Sequence, residues 1–195
     1  MQIKRGTDPV EVAVQPLWPI VFRIARNPDA DEHNKVATEL AYKAREEGKT
    51  WGVAELAKHN LYESEPNFLD LPGLEGLASY LGTLCAAILE SDVDIKESWV
   101  HVTNNGGWHD THCHPLFVHG ICGIYYVQSA QSDLESLNGV NRFHSPNPFE
   151  PHSIADIAPQ NGLVVLFPGT IMHSATPYKG EDDRIVIGFN VSKCP

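Results

Sequence analysis

The sequence has 195 residues, the length of a single domain and enough to bury a hydrophobic core without disulfides or a structural metal. Its 14 Lys and Arg against 25 Asp and Glu give a formal net charge of −11, and this acidic balance argues against a nucleic-acid partner. A small anionic ligand is not excluded, because one buried Arg can bind a carboxylate whatever the overall charge.

The sequence lacks a membrane span, a secretory signal and paired cysteines, and these absences indicate the expected cellular location. No apolar run approaches the roughly 18 to 20 residues that span a bilayer. Residues 1–6 lack the apolar stretch of a secretory signal, and the four cysteines form no C-x-x-C pair. We therefore expect a soluble, cytoplasmic protein without a membrane partner.

The first half of the sequence predicts two helices. Residues 31–47 place small and apolar side chains at helical spacing, and Gly48 follows as a C-terminal stop. Residues 73–90 form a second apolar face that includes Leu77 and Leu81. Both helices are expected to brace the outside of a β domain.

After residue 95 the sequence changes to short β-rich runs separated by Gly, Pro and Asn. These runs are 98–103, 111–117, 120–127, 139–143, 152–157, 163–167, 171–176 and 184–191. Short strands in this number match a jelly roll, the architecture of the cupins. We predict one mainly β (α+β) domain over residues 1–195, with a helical N-terminal support region at 1–95 and a jelly-roll catalytic core at 96–195.

Histidines carry the clearest functional pattern. Alternate side chains of a strand share a face, so His112 and His114 would project to the same side, together with Asp110. A third metal ligand must come from another strand, and His173 is the candidate. The residues alone leave the third ligand open between His114 and Asp110. Two histidines with a carboxylate form the usual non-haem iron(II) site, whereas three histidines would also suit zinc, copper or nickel.

Arg184 is the second part of the pattern. It begins a predicted strand on which Arg184, Val186, Gly188 and Asn190 share one face. An Arg projecting into a barrel needs an anionic partner, which a carboxylate ligand would provide. The alternatives are a salt bridge to the acidic residues at 181–183, or an exposed Arg at a strand end.

Several motifs occur together in the second half of the sequence. They are His112-Cys113-His114-Pro115, Gly123-Ile124-Tyr125-Tyr126-Val127, Gly162-Leu163-Val164-Val165-Leu166-Phe167-Pro168, His173, Pro177, Arg184 and Phe189-Asn190. Over about residues 98–191 this combination resembles an uncharacterised bacterial and phage family of 2-oxoglutarate- and Fe(II)-dependent oxygenases.

The resemblance implies a double-stranded β-helix that holds Fe(II), with 2-oxoglutarate bound to the iron and, through its distal carboxylate, to Arg184. His112 and His173 match two ligand positions of such enzymes. His114 stands where most oxygenases of the wider superfamily have Asp or Glu. On this resemblance His112, His173 and Arg184 are the expected catalytic residues.

The expected co-substrate pocket departs from the superfamily at Val186, where an Arg-x-Ser pattern would supply a hydroxyl. Tyr125 or Tyr126 could replace that hydroxyl. Adjacent strand residues face opposite ways, so only one of them need point inward. Both tyrosines, with Arg184 and Asn190, are therefore candidate co-substrate residues.

Two other classes fit part of the pattern. A different metal-dependent cupin, either a dioxygenase or an isomerase, would share the His-x-His motif, but its Glu is replaced here by His119. Arg184 distinguishes the two, since it is expected only for 2-oxoglutarate. A non-enzymatic metal-binding module is the third possibility, although Cys113 would point away from the His112 face.

The sequence does not identify the substrate, which is either a small molecule or a peptide. Polar loops at 128–138 and 145–151 have the composition of surface loops that carry specificity. A homodimer through the helical side is a further expectation.

Overall fold

The structure is a computed structural model that describes residues 2–3, 13–17, 20–51, 59–114, 120–129, 131–147, 149 and 153–194. Its strands are β1 Gln2–Ile3, β2 Ala13–Leu17, β3 Ile20–Arg26, β4 Leu61–Glu63, β5 Val93–Thr103, β6 His109–His112, β7 Ile121–Gln128, β8 Asn141–His144, β9 Ile154–Ile157, β10 Leu163–Pro168, β11 His173–Ala175 and β12 Arg184–Lys193. Its helices are α1 Ala30–Glu46, a 3-10 turn Phe68–Asp70 and α2 Glu75–Leu89.

Two antiparallel sheets make up the β domain. The large sheet has the order β1-β5-β12-β7-β10-β3-β2, with β4 beside β5. The small sheet has the order β6-β11-β8-β9. Most neighbouring strands are distant in sequence, which is the connectivity of a jelly roll. The predicted fold class, a double-stranded β-helix with bracing helices, is confirmed.

Both predicted helices are present, and they cover the outer face of the large sheet. Ala37 of α1 and Leu77 and Leu81 of α2 are fully buried in one core cluster with Val100 of β5. Burial contributes roughly 1.5–3 kcal/mol for each leucine relative to an exposed side chain. No helix in the described ranges combines the length and the apolarity that crossing a membrane requires.

Helix α1 ends where the sequence predicts. Gly48 adopts the left-handed conformation, with φ +66°, which glycine reaches without a steric penalty. This turn allows the Lys49 N–H to donate to the Ala44 carbonyl at 3.1 Å, which satisfies an otherwise unpaired helix carbonyl.

Strand β12 is buried on both faces and separates two cores. Ile185, Ile187 and Phe189 belong to the cluster shared with the helices. Val186 belongs to a second cluster, which also contains Phe143 of the small sheet. The face predicted to carry Arg184 is therefore the face turned towards the small sheet.

The N-terminal region contributes more than helical support. Strands β2 and β3 extend the large sheet, and β3 pairs with β10 in an antiparallel register. The prediction that residues 1–95 are a helical support region misses these strands. β3 covers an edge of β10 that would otherwise expose unpaired backbone groups.

Two strand boundaries also differ from the prediction. β5 begins at Val93 and not at residue 98. β6 ends at His112, so His114, which falls inside the strand predicted for residues 111–117, lies beyond the end of the observed strand. Residues 115–117 of that predicted strand lie outside the described part of the chain. The single-domain assignment remains a prediction.

Candidate active site

Three histidines meet between the two sheets. His112 ends β6 and His173 begins β11, and the two are register partners with ring centroids 4.2 Å apart. The His114 ring centroid is 5.3 Å from each of the other two. One donor atom from each of the three lies within 4.8 Å of the others, a spacing at which one metal ion can be held.

His114 reaches this cluster by tertiary contacts and not by strand alternation. Its backbone N–H donates to the Gly169 carbonyl at 2.8 Å. Its ring stacks on Trp99 of β5, with centroids 5.5 Å apart and planes at 20°. Trp99 in turn lies over Gly188, where a Cβ would approach the indole to 2.6 Å. The sequence predicts His112 and His114 on one face of a strand, whereas the structure brings His114 to His112 from beyond the end of β6.

Hydrogen bonds to backbone carbonyls fix the tautomer of two of these rings, that is, which ring nitrogen carries the proton. His112 Nδ1 lies 2.9 Å from the Asp110 carbonyl, and His173 Nδ1 lies 2.9 Å from the Ile171 carbonyl. A carbonyl only accepts, so each Nδ1 donates. In a neutral imidazole this leaves the lone pair on Nε2, the nitrogen that is free to bind a metal.

Burial keeps the same two rings neutral. The pKa of His112 is lowered to about 3, mainly by desolvation and secondly by the neighbouring His109. The pKa of His173 is also lowered to about 3, mainly by desolvation and secondly by the neighbouring His112. Burial also lowers the pKa of His114. Neutral imidazole is the ligating form, so at neutral pH the cluster is ready to accept a metal without losing protons.

Asp110 does not join the cluster. Its side chain is 70% exposed, and its Oδ1 lies 3.3 Å from Trp108 Nε1. Only its backbone carbonyl serves the site, through the hydrogen bond from His112. Strand parity predicted Asp110 on the ligand face, but the carboxylate turns to solvent at the end of the small sheet. The histidine set is therefore the one that the fold assembles.

Arg184 is buried in the same cavity, with 2% exposure. Its NH2 donates to Asn141 Oδ1 at 2.6 Å, whereas its Nε has no hydrogen-bond partner. Burial lowers its pKa from the ordinary arginine value. The acidic stretch before it offers no salt bridge, because Asp183 pairs with Arg45 at 2.9 Å instead.

No carboxylate in the described ranges forms an ion pair with this guanidinium. A buried charge without a counterion is costly, so an anionic ligand is the expected partner. The unpartnered Nε and the buried position fit the carboxylate of a small co-substrate. This observation separates Arg184 from an ordinary structural arginine.

Tyr126 is the tyrosine that faces the site. Its hydroxyl donates to Asn141 Oδ1 at 2.9 Å, and its ring centroid lies 5.9 Å from the Arg184 guanidinium carbon. Tyr125 faces the opposite way, where its hydroxyl donates to Asn34 of α1 at 2.6 Å. Of the two candidate tyrosines, Tyr126 therefore lies on the Arg184 side of β7 and Tyr125 on the helical side.

Asn190 is also removed from the predicted co-substrate residues. Its amide donates to Glu97 Oε2 at 3.0 Å and its carbonyl accepts from the Cys122 thiol at 3.0 Å. With both ends of the side chain occupied, it does not line the cavity. Its strand parity was predicted correctly, but its partners are side chains of β5 and β7.

The cavity contains residues that sequence reasoning missed. It has about 490 Å³ of unfilled space, its open mouth included. Asn141 holds both Tyr126 and Arg184, and nothing in its local sequence distinguishes it from any other strand asparagine. His101 and His109 also line the wall. Seven of the ten histidines in the sequence fall between residues 101 and 152, and this density was the available clue to them.

Comparison with known proteins supports the assignment that these residues suggest. The family described as "Putative 2OG-Fe(II) oxygenase" matches residues 97–190. This segment contains the three clustered histidines and Arg184. Among curated proteins, no sequence matches the chain.

Solved structures show the same fold at low identity. Prolyl-4-hydroxylase of Pseudomonas putida is 15% identical, with a TM-score of 0.61 over 89% of this chain and 92% of that chain. HygX of Streptomyces hygroscopicus, with nickel, 2-oxoglutarate and hygromycin B bound, is 11% identical, with a TM-score of 0.63 over 88% and 82%. The alpha ketoglutarate dependent carbocyclase SnoK from nogalamycin biosynthesis is 9% identical, with a TM-score of 0.68 over 87% and 78%.

The family match covers the strands that carry the histidine cluster and the buried arginine, and the solved structures share the double-stranded β-helix. The match of residues 97–190 to the 2OG-Fe(II) oxygenase family, whose enzymes use Fe(II) with 2-oxoglutarate as co-substrate, indicates an oxygenase.

Proposed function

We propose that His112, His114 and His173 bind Fe(II), that Arg184 binds the distal carboxylate of 2-oxoglutarate, and that the enzyme oxidises a C–H bond of a small-molecule or peptide substrate. The observation that carries this proposal is a buried guanidinium without a counterion in the cavity that also holds three neutral imidazoles. A structural metal site alone would give no reason for that charge.

The donor set fits Fe(II). Imidazole nitrogen suits Fe(II), and a cluster of three protein ligands leaves coordination positions open for a co-substrate. Because all three imidazoles are neutral, they leave both positive charges of the metal uncompensated. An anionic co-substrate is favoured at such a site over a neutral one.

The cofactor pair supplies the difficult chemistry, in which 2-oxoglutarate is oxidised to succinate and CO₂ while O₂ is activated. The protein residues bind the co-substrate and orient it. Asn141 accepts hydrogen bonds from Arg184 and Tyr126 with one oxygen, which fixes the guanidinium in place. Burial raises the pKa of Tyr126, so its hydroxyl stays protonated and remains a donor.

Apolar walls around the cluster limit access of water. Trp99 lies against His114, and the Phe167 ring packs at the edge of His173 with centroids 4.8 Å apart. Exclusion of water strengthens the attraction between Arg184 and a bound carboxylate. The cavity therefore provides both the charge and the low-polarity surroundings that carboxylate recognition needs.

Anaerobic spectroscopy tests the proposal directly. Addition of Fe(II) and 2-oxoglutarate to metal-free protein should give the weak visible charge-transfer band of their chelate. Arg184→Ala should weaken 2-oxoglutarate binding on the order of a hundredfold, because truncating one partner of a buried charge pair costs about 2–5 kcal/mol. Arg26→Ala, which removes an exposed arginine of β3, is the matched control and should bind normally.

Two outcomes would contradict the proposal. One is a wild-type protein that gives no band. The other is an Arg184→Ala variant whose affinity for 2-oxoglutarate is unchanged. The second outcome, with metal still bound, would favour a metal-dependent cupin enzyme that does not use 2-oxoglutarate.

The substrate class is open between small molecules and peptides. Solved structures that share the fold include both, since HygX holds hygromycin B and a Trichoplax adhaerens prolyl hydroxylase holds a peptide fragment. Succinate release measured over pools of amino acids, peptides and small metabolites would identify the class for this chain.

Cellular location and assembly are also proposals. All four cysteines are free thiols, which persist in a reducing cytoplasm. A homodimer through the helical side is proposed on the sequence alone, and light scattering coupled to size-exclusion chromatography would test it.

A further inference from the structure

A second group of side chains that could bind a metal lies beside the three clustered histidines. It consists of Glu63, His101 and His109, here called the second triad. One donor atom from each lies within 4.8 Å of the others, the same spacing as in the first cluster. Both histidines line the cavity wall.

The fold places these residues together from three strands. Glu63 on β4 and His101 on β5 are register partners in the large sheet. His109 begins β6 in the small sheet, and its ring centroid is 5.1 Å from that of His101. The triad therefore bridges the two sheets at one side of the cavity, beside the first cluster.

Glu63 and His101 are already in contact. His101 Nε2 lies 2.6 Å from Glu63 Oε2, and their side chains are only 12% and 14% exposed. A simple ion pair across β4 and β5 would account for these two residues. It would not account for a third ligating side chain from the opposite sheet.

His109 has the tautomer that a ligand needs. Its Nδ1 lies 2.9 Å from the Asp110 carbonyl and must donate to it, which leaves the lone pair on Nε2. The Asp110 carbonyl thus accepts from both His109 and His112. One backbone oxygen orients a histidine of each group.

We propose that Glu63, His101 and His109 form a second site for a divalent transition-metal ion. Two imidazoles and one carboxylate form a recurrent donor set for Zn(II), Fe(II) and related ions. The carboxylate offsets one of the two positive charges, which the all-histidine cluster cannot do. The two sites are adjacent, because the rings of His109 and His112 have centroids 4.2 Å apart.

Zn(II) titration of metal-free protein by calorimetry and equilibrium dialysis tests the proposal. Wild-type protein should bind two equivalents, and Glu63→Gln should lose one of them while keeping its shape. Glu65→Gln removes an exposed carboxylate two residues away and should still bind two. His173→Ala should lose the other equivalent, and the variant that combines it with Glu63→Gln should bind none.

Anomalous scattering from zinc-soaked wild-type crystals locates the ions even if a variant fails to fold. The expected result is one peak between Glu63 and His101 and a second at His173. A single equivalent at His173, or two equivalents retained by Glu63→Gln, would overturn the second site. A single peak at Glu63 would keep the second site and overturn the proposed iron site instead.

Discussion

At the scale of single residues, Tyr125 and Tyr126 show how neighbouring positions acquire different roles. Tyr126 faces Arg184 and Asn141, whereas Tyr125 is held by Asn27 and Asn34 on the helical side. The adjacent residues of β7 therefore belong to two different cores. A hydroxyl deletion at each position should have a different consequence.

Tyr126→Phe should weaken 2-oxoglutarate binding about threefold to tenfold, because one hydrogen bond that orients Asn141 is lost and such a bond contributes roughly 0.5–1.5 kcal/mol. Tyr125→Phe is the matched control. It should leave 2-oxoglutarate binding unchanged and lower the free energy of unfolding, because two asparagines of the helical side lose their partner. Ligand titration and urea denaturation of both variants measure the two effects. A larger loss of 2-oxoglutarate affinity in Tyr125→Phe would contradict the assignment.

At the scale of elements, the packing of β7 against β12 depends on a glycine, because any side chain at that position would collide with an aromatic ring. Gly123 of β7 is the register partner of Phe189 of β12, and a Cβ on Gly123 would overlap the Phe189 ring. The aromatic ring can cross the neighbouring strand only because residue 123 is glycine. This contact holds together the two strands that carry Tyr126 and Arg184.

Gly123→Ala should lower the free energy of unfolding by about 1–3 kcal/mol, the usual cost of overpacking a core. Phe189→Leu creates space at the same point, so the double variant should lose less than the sum of the two single variants. Thermal and urea denaturation of all three provide the measurement. If the losses in unfolding free energy of the two single variants simply add in the double variant, the contact between residues 123 and 189 does not determine the cost of Gly123→Ala.

At the scale of the whole molecule, burial of several neutral histidines makes stability depend on pH. His109, His112 and His173 each have a pKa lowered to about 3 from the ordinary value of 6.5, first by desolvation and then by a neighbouring histidine. In the unfolded chain these groups regain ordinary values and bind protons below pH 6.5. The unfolded state therefore binds more protons between about pH 6.5 and 3, and stability falls as the pH falls through this window.

The metal-free protein should lose stability steeply below pH 6.5, by up to roughly 1.4 kcal/mol per pH unit for each such histidine. Urea denaturation at a series of pH values from 8 to 4.5 measures the slope. His109→Gln removes one of the three groups, so its slope should be shallower whatever its absolute stability. Equal slopes in the variant and the wild type would argue against a buried neutral His109.

Features that repeat along one element could be predicted from the sequence. The period of apolar residues predicted both helices and most strands, and the motifs around His112, His173 and Arg184 indicated the family. These predictions needed only the direction of side chains along one element. They could not show where β6 ends or which face of β7 points inward.

The composition of the site depends on packing between elements that are distant in sequence. Packing against Trp99 brings His114 to the cluster, and exposure takes Asp110 away from it. Asn141 meets Arg184 across 43 residues of sequence, and Glu63 meets His101 across 38. Such contacts depend on strand register and on the packing of two sheets, because the chain between the partners carries no local pattern that fixes their distance.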